Sequence, residues 1–293
     1  MMRRKLLETT AALAATAVLP GRAGATSGGA LHPPARGAIP VAFLISEGAT
    51  IIDFCGPWEV FQDVSLPGEA EGGFRLYTVA ETLKPIRASG GMQIVPDFDF
   101  ASAPAPKVVV IPAQSGHTAA AKEWIRKSAQ GADLTMSVCT GAFLLAKTGL
   151  LAGKSAVTHH GFFASFAMAF PDVKLRRGAR FVEEGSVATA GGLSSGIDLA
   201  LRVVQRYYGA EVARKTAYYM EYQGKGWEDA GSNSAYAKAP PWSAEHPICP
   251  VCWMEVDPKS KVTSRYRDRT FVFCTPDHKQ EFDASPARFA DAL

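Results

Sequence analysis

Short apolar runs alternate with amphipathic stretches along residues 39–223. Four runs are rich in β-branched or other apolar side chains and predict buried strands: IPVAFLI, FRLYTVA, KVVVIPA and DLTMSV. Helical character is found between or after them, at residues 58–64, 119–129 and 140–150. Because parallel strands need helical crossovers, this alternation predicts an α/β fold, a doubly wound and mostly parallel sheet with helices on both faces.

The pattern changes after this alternation. The segment ARFVEEGSVATAG predicts a hairpin that turns at Glu184-Gly185, and two helical runs, SSGIDLALRVVQRYYG and EVARKTAYYMEY, end the domain near Gln223. Residues 224–245 are polar, contain Gly and Pro, and predict a linker. Residues 246–293 hold three of the five cysteines and predict a separate small module.

The N-terminus has the features of an export signal. Residues 1–25 contain Arg3-Arg4, a modest Ala-rich apolar stretch and an Ala23-Gly24-Ala25 ending, and they resemble a twin-arginine signal peptide. The apolar run is shorter than the roughly 20 residues that a membrane span needs, although an uncleaved anchor is the alternative. Residues 26–38 predict a flexible lead-in. We therefore expect a periplasmic protein without stable membrane insertion.

Charge argues against a nucleic-acid partner. Cleavage after residue 25 would remove four basic side chains and one acidic side chain, which takes the net charge from +3 to zero. The odd number of cysteines would then sit in a compartment that oxidises exposed thiols. Each cysteine must be a disulfide partner, a metal ligand, a buried apolar residue or a protected reactive thiol.

Cys139 lies where a predicted strand turns directly into a helix. Such a turn lifts a side chain above the carboxyl edge of the sheet, where ligands collect in doubly wound folds. The amides of Thr140, Gly141 and Ala142 point back toward the sulfur, so we expect a lowered pKa and a set of oxyanion donors. Gly141 is small enough to let the turn close. The alternative is that Cys139 is a small buried hydrophobic residue.

Three motifs in order carry a family resemblance: DFCGPWEVF, SVCTGAFLLAKTGLLAGKSAVTHH and VATAGGLSSGIDLAL. Over residues 39–223 the chain resembles the ThiJ/PfpI superfamily, whose fold is flavodoxin-like and of the class I glutamine amidotransferase type. Within it, the chain is similar to the branch of isonitrile hydratases and of the amidotransferase-like domains of AraC-type regulators. The resemblance implies a small-molecule substrate, no cofactor in this domain and a homodimer.

The same resemblance implies the catalytic residues. The isonitrile hydratase site matches Cys139 as nucleophile, Thr140 after it and Asp53 from the first loop. A thiolate would add to the isonitrile carbon, and a nearby carboxyl group would deliver a proton and then direct water onto the thioimidate. Asp53 could instead cap a helix that starts near Gly56, and Thr140 could be an ordinary polar residue of a first helical turn.

Four further residues surround this expected site. Ala113-Gln114 replace the paired glycines that the family usually has before the elbow. Their backbone amides remain, so we expect Ala113 and Gln114, with Gly141 and His159, to form the substrate and oxyanion pocket, and Gln114 to narrow or polarise it. His159 stands where amidotransferase relatives carry a catalytic histidine, although a pocket-wall or structural role is favoured here. Cys55 is expected to pack inward, with a resolving thiol for Cys139 as the alternative. The glycine-rich segment TAGGLSSGIDLAL is interpreted as scaffold.

The C-terminal cysteines have metal-ligand spacing. Cys249 and Cys252 form a C-x-x-C knuckle, and Cys274 is followed by His278 one helical turn later. The segment resembles the YHS domain, with Trp253 in place of the usual Gly and His278 where a Cys is common. We expect one copper or zinc ion, with a Cys–Cys disulfide or a metal-free fold as alternatives. Seven basic side chains balance seven acidic ones in residues 246–293, which excludes a nucleic-acid zinc finger.

Together these features predict an exported, cysteine-dependent hydratase or hydrolase of a small electrophile, similar to isonitrile hydratase, fused to a small metal module. The alternative is a non-catalytic periplasmic protein that handles metal or senses redox state or a ligand. In that case Cys139 would report oxidation or complete a shared site.

Overall fold

A computed structural model describes residues 28–66, 73–239, 241–290 and 293 of the chain. The predicted signal peptide of residues 1–25 lies outside the described residues. Within the described part, none of the helices is both long enough and apolar enough to cross a membrane.

The strands of the described residues are β1 (Ile39–Leu44), β2 (Phe74–Ala80), β3 (Ile86–Arg87), β4 (Gln93–Ile94), β5 (Phe98–Asp99), β6 (Val108–Ile111), β7 (Leu134–Val138), β8 (Ser155–Ala156), β9 (Lys174–Leu175), β10 (Phe181–Glu184), β11 (Val187–Ala190), β12 (Thr263–Tyr266) and β13 (Arg269–Val272). The helices are α1 (Ile51–Gln62), α2 (Ala119–Gly131), α3 (Gly141–Lys147), α4 (Phe163–Ala169), α5 (Ser195–Tyr208), α6 (Ala210–Tyr219), α7 (Pro276–Ala284) and α8 (Pro286–Ala290).

The central sheet has the order β10-β11-β7-β6-β1-β2-β5. All neighbouring pairs are parallel except the hairpin of β10 and β11, which forms one edge. The predicted doubly wound, mostly parallel sheet is confirmed, as is the hairpin that turns at Glu184-Gly185. The carboxyl ends of β1, β6 and β7 lie side by side, and the segments that follow them carry Asp53, Ala113-Gln114 and Cys139-Thr140.

Helices cover both faces of this sheet, and each face has its own apolar layer. One layer joins α1, α5 and α6 to the sheet, with Phe54, Leu199 and Ala213 among its buried members. The other joins α2, α3 and α4 to the opposite face, around Ile125 and Leu145. Because the strands are covered on both faces, their sequences are continuous apolar runs rather than alternations of apolar and polar residues.

The segment after α6 begins inside the α/β core. Trp227 is buried in the layer of α1, α5 and α6, and its backbone N–H donates a 3.0 Å hydrogen bond to the Asp198 carboxylate of α5. The core therefore extends past Gln223, where a polar linker was expected to begin. An indole of this size is buried because α5 and α6 leave an apolar face that it can cover.

The C-terminal segment forms a small unit of its own against α4. A hairpin of β12 and β13 packs with α7 and α8 around Phe271, Phe273 and Phe282. Ala164 of α4 is buried in the same apolar cluster, so the unit packs directly on the α/β domain. A second contact is the guanidinium of Arg177, which lies 4.3 Å from the centre of the Trp253 ring.

Candidate active site and metal centre

Cys139 occupies the turn between β7 and α3 with a left-handed backbone conformation, φ 59°. For a residue other than glycine this conformation costs about 1–2 kcal/mol, so the surroundings must hold it. The Cys139 N–H donates to the Gly191 carbonyl at 2.8 Å, and the Thr158 hydroxyl donates to the Cys139 carbonyl at 3.0 Å. The predicted elbow geometry is therefore present, and its backbone is held from two neighbouring loops.

The turn closes because residue 141 has no side chain. A Cβ built on Gly141 would lie 2.2 Å from the Ile111 carbonyl oxygen at the end of β6. Thr140 stands at the N-cap position of α3, but its side chain makes no capping hydrogen bond. The Thr140 hydroxyl is therefore not used by the helix, in contrast to Thr118, which caps α2 through its side chain.

Asp53 lies inside the first turn of α1, which begins at Ile51 after Thr50, so it does not cap that helix. Its carboxylate is fully buried, at 0% exposure. Oδ2 accepts a 3.0 Å hydrogen bond from the Ala113 N–H, whereas Oδ1 has no protein hydrogen-bond partner of ordinary geometry among the described residues. Ala113 was expected to supply an oxyanion amide; its amide instead positions the acid.

Asp53 and Cys139 perturb each other. Burial raises the pKa of Asp53 to about 6, while the Ala113 amide and the Cys139 thiol act in the opposite direction. Burial, followed by the charge of Asp53, raises the pKa of Cys139 to about 11. The expectation of a low-pKa thiolate is therefore wrong for this site, because desolvation and a neighbouring carboxylate outweigh the amides. Between these two pKa values the pair holds one proton.

Two backbone amides point at the sulfur of Cys139. They belong to Thr140 and Leu193, and both lower the pKa of the thiol against the larger effect of burial. Leu193 follows Gly191-Gly192 and has a positive φ of 39°. This segment was expected to be scaffold, and Leu193 was not among the predicted site residues. The signal was the GG pair, since glycines permit another backbone to approach closely.

A pocket of about 200 Å³ lies beside the elbow, and neither Cys139 nor Asp53 is among the residues that line it. Thr158, His159 and Leu193 form part of its wall, and Asn233 and Tyr236 of the segment after α6 close it from the other side. The pocket is therefore small and is completed by a part of the chain that was expected to be a linker.

His159 is oriented within this wall by its own loop. Its Nδ1 accepts a 3.1 Å hydrogen bond from the Gly161 N–H, which assigns the proton of the neutral ring to Nε2. The ring stacks on His160, which stacks in turn on Tyr236. Burial, and then the neighbouring His160, lower the pKa of His159. The ring is neutral and forms part of the pocket wall, as favoured.

Two other predicted residues are engaged elsewhere. Gln114 does not polarise the pocket as expected, because its side-chain oxygen accepts from the Ser46 hydroxyl at 2.8 Å and its amide nitrogen donates to the Leu44 carbonyl at 3.2 Å. Cys55 is half-buried on α1 and packs against the apolar layer of that face. Burial, and then the charge of Glu59, raise the pKa of its thiol.

The structure brings together the four C-terminal residues that sequence spacing selected. The ligand atoms of Cys249, Cys252, Cys274 and His278 all lie within 4.8 Å of one another. The Cys252 and Cys274 sulfurs are 3.5 Å apart, and Nδ1 of His278 lies 3.6 Å from the Cys249 sulfur and 2.9 Å from the Cys274 sulfur. In a tetrahedral zinc site, neighbouring donors are about 3.5–3.8 Å apart, given the usual Zn–S and Zn–N distances.

Local structure explains this convergence. Thr275 caps α7 by accepting a hydrogen bond from the His278 N–H, which places His278 one turn beyond Cys274. In the knuckle, the Trp253 N–H donates to the Cys249 carbonyl at 2.7 Å, and Trp253 has a positive φ of 61°. Glycine adopts a positive φ most readily, so Trp253 holds this conformation at a cost. A hydrogen bond from Cys252 lowers the pKa of Cys249, so the cluster favours one thiolate.

Comparisons with known proteins agree with this description of the α/β domain. The family model described as DJ-1/PfpI family matches residues 40–206 and ends before the C-terminal cysteines. An isonitrile hydratase of Pseudomonas putida is 31% identical over 205 residues, which cover 67% of this chain and 83% of that protein.

Two further comparisons concern a transcriptional regulator and a solved structure. The HTH-type transcriptional regulator GbdR of Pseudomonas aeruginosa is 25% identical over 195 residues, which cover 65% of this chain and 53% of the regulator. A solved ThiJ/PfpI family protein of Pseudomonas syringae superposes with a TM-score of 0.57 at 23% identity, covering 69% of this chain and 91% of that one.

Proposed function

The chain belongs to the DJ-1/PfpI family, and from this membership and its buried Asp53–Cys139 pair we propose that it is a cysteine-dependent hydratase of small electrophiles, with organic isonitriles as the substrate class. The observation that carries this proposal is the fully buried carboxylate of Asp53, which the Ala113 N–H holds beside the buried Cys139 thiol of the elbow. A thiol beside a buried carboxylate can become a nucleophile only as substrate arrives, when its proton moves to the acid.

In the first half-reaction, the Cys139 thiol gives its proton to Asp53 as the sulfur bonds to the isonitrile carbon. Asp53 then delivers this proton to the same carbon, which leaves a thioimidate on the sulfur and a carboxylate on Asp53. Oδ1 of Asp53 suits both transfers because it has no protein hydrogen-bond partner of ordinary geometry among the described residues, while Oδ2 is held by Ala113.

In the second half-reaction, Asp53 takes a proton from a water molecule as the water oxygen bonds to the thioimidate carbon. The carbon–sulfur bond then breaks, and Asp53 returns its proton to the departing Cys139 sulfur. The product leaves as the imidic acid, which tautomerises to the N-substituted formamide. The amides of Thr140 and Leu193 stabilise the sulfur while it carries negative charge.

The pocket beside the elbow can accept the substituent of a small substrate. Its volume of about 200 Å³ suits a small molecule, and the wall offers the stacked rings of His160 and Tyr236 together with the neutral ring of His159. An isonitrile with a compact apolar substituent would place its carbon toward Cys139 and its substituent against these rings.

A redox sensor is the less favoured role. Sensor thiols react with oxidants as exposed, low-pKa thiolates, whereas Cys139 is buried and its pKa is raised. A ligand-binding role without catalysis differs from the enzyme role by the absence of turnover. Turnover of an isonitrile therefore separates the two roles.

Export and metal binding complete the proposal. The twin-arginine-type start would direct the chain to the periplasm, and a homodimer stays a prediction from the family resemblance. Cys249, Cys252, Cys274 and His278 would hold one Zn(II) or Cu(I) ion, because thiolate and imidazole donors suit both metals. The ion would supply a cross-link for a unit with little apolar core of its own.

The test is turnover of a simple isonitrile such as cyclohexyl isonitrile, with the formamide measured by chromatography. The wild-type protein should form formamide, whereas Cys139→Ala and Asp53→Asn should lose turnover by at least about 100-fold. Cys55→Ala is the matched control, since its sulfur lies outside the pair, and it should retain activity. Equal inertness of wild type and Cys139→Ala across several isonitriles would contradict the enzyme proposal.

A further inference from the structure

The two ring nitrogens of His278 contact different parts of the molecule. Nδ1 faces the cysteine cluster, at 2.9 Å from the Cys274 sulfur and 3.6 Å from the Cys249 sulfur. Nε2 lies 2.8 Å from the thioether sulfur of Met168, which belongs to α4 of the α/β domain. The imidazole therefore bridges the cluster and a residue 110 positions earlier in the chain.

This arrangement favours one tautomer of the neutral His278 ring. A neutral imidazole has one nitrogen with a proton and one with a free lone pair. A metal ion among the cysteines needs the lone pair at Nδ1, which leaves the proton at Nε2. The thioether sulfur of Met168 is a weak acceptor and has no proton to give, so it is compatible only with a protonated Nε2.

The position of Met168 is set by packing of α4. Ala164 lies one helical turn before Met168 and therefore on the same face, and it is buried in the apolar cluster of the C-terminal unit. Arg177 lies over the Trp253 ring beside the knuckle and makes a second contact between the two units. Met168 is itself 44% exposed, because a cavity of about 720 Å³ opens between α4 and the knuckle. Its contact with His278 is therefore not a consequence of close burial on all sides.

We propose that Met168 is a positioning residue of the metal centre: its sulfur accepts the Nε2–H of His278 and holds the tautomer that presents Nδ1 to the ion. This inference rests on the metal site proposed above. The centre is then completed by the α/β domain, and the C-terminal unit binds its ion most tightly when it is packed on α4. Metal binding and packing of the two units stabilise each other.

The test uses the full chain, reduced and metal-free, titrated with Zn(II) against a chromophoric chelator. Met168→Leu keeps the apolar volume but removes the acceptor, and it should weaken Zn(II) binding by about 10-fold or more, the range seen when such supporting contacts are lost. Met168→Gln has a similar length and keeps an acceptor oxygen, so it should bind Zn(II) almost as wild type does. A packing role predicts the opposite order, because leucine suits an apolar contact better than glutamine.

Met254→Leu is the matched control, since this methionine lies beside the knuckle with an exposed side chain, and it should bind Zn(II) as wild type does. Equal affinity of Met168→Leu and wild type, or weaker binding by Met168→Gln than by Met168→Leu, would overturn the inference. Nitrogen NMR of the loaded protein gives a second readout, in which His278 should keep its proton on Nε2; a proton on Nδ1 would contradict it. A wild-type protein that binds no Zn(II) would refute the metal site itself, which is a different result.

Discussion

The backbone N–H of Leu193 points at the sulfur of Cys139, and both residues have left-handed backbone conformations, with φ of 39° and 59°. Neither residue is a glycine, so each conformation costs about 1–2 kcal/mol that the rest of the fold must offset. The two strained turns face each other across the hydrogen bond from the Cys139 N–H to the Gly191 carbonyl. Strain at this point therefore serves to bring an amide donor to the nucleophile.

The Leu193→Gly variant keeps the backbone N–H of residue 193 but removes the cost of its positive φ. Glycine adopts positive φ without penalty and keeps the N–H, so we expect turnover within a few-fold of wild type and a free energy of unfolding raised by up to about 1 kcal/mol. Urea denaturation and isonitrile turnover measure the two effects. Leu83→Gly is the matched control at an exposed leucine without positive φ, and it should be destabilising. Loss of turnover in a folded Leu193→Gly would show that the leucine side chain, not its amide, is required.

The raised pKa of Cys139 predicts slow alkylation at neutral pH. Iodoacetamide should modify the peptide that contains Cys139 at a rate that rises with pH toward a midpoint near 11, above the value of about 8.5 for free cysteine. Asp53→Asn removes the neighbouring negative charge and should lower this midpoint. Mass spectrometry resolves this peptide from the other cysteines. A midpoint below that of free cysteine would restore the low-pKa expectation.

Asp53 makes the folded state less stable at neutral pH. Its folded pKa of about 6 is above the ordinary value of 3.8, so the folded state binds more protons between these values, and stability falls as pH rises through this window. Asp53→Asn should therefore raise the free energy of unfolding at pH 7 by up to about 3 kcal/mol, while making no such difference near pH 3. Urea denaturation at both pH values tests this expectation.

The control for this effect is an aspartate whose pKa changes in the opposite direction. Hydrogen bonds from Ser102 lower the pKa of Asp99. Asp99→Asn should therefore give no stabilisation at pH 7. Stabilisation of both variants to the same extent would indicate a general charge effect rather than the burial of Asp53.

Much of the fold and part of the site could be predicted from local sequence. The apolar runs predicted the ends of the central strands to within one or two residues, because a strand buried on both faces is apolar along its whole length. The four metal-ligand candidates could be selected because C-x-x-C and C-x-x-x-H place donors within one turn of each other.

The remaining features depend on contacts between distant parts of the chain. Burial of Asp53 against Cys139 reversed the expected pKa of the thiol, and no local pattern reports desolvation. Leu193 and Tyr236 line the pocket from segments whose amino-acid composition gives no indication of a site. Met168 contacts His278 across 110 residues, although its own helix gives no sign of a metal site.

Gly141 is the position at which the elbow tolerates no side chain. Gly141→Ala would place a methyl group 2.2 Å from the Ile111 carbonyl oxygen, which belongs to the backbone and cannot turn away. The resulting shift should lower turnover by about 100-fold, the loss that accompanies a displacement of about 1 Å at a reacting group, and stability by about 1–3 kcal/mol. Gly131→Ala at the end of α2 is the matched control, because nothing lies within 4 Å of its Cβ position. A fully active Gly141→Ala would mean that the elbow can move without loss.

Cys274→Ser distinguishes a metal centre from a disulfide in the C-terminal unit. If the cluster binds metal, the reduced full-length protein should carry about one equivalent of zinc or copper, and the variant should lose more affinity than the roughly 10- to 100-fold that follows loss of a supporting contact. Because an ion that binds only the folded state stabilises it by about 2.7 kcal/mol at 100 times its dissociation constant, chelation should also lower the thermal stability of the wild type. Cys55→Ser lies outside the cluster and should behave as wild type in both measurements. If instead Cys252 and Cys274, whose sulfurs are 3.5 Å apart, form a disulfide after export, the exported protein should carry no metal at this cluster. The exported protein should then be lighter by the two hydrogens that a disulfide removes, and Cys274→Ser should abolish this difference.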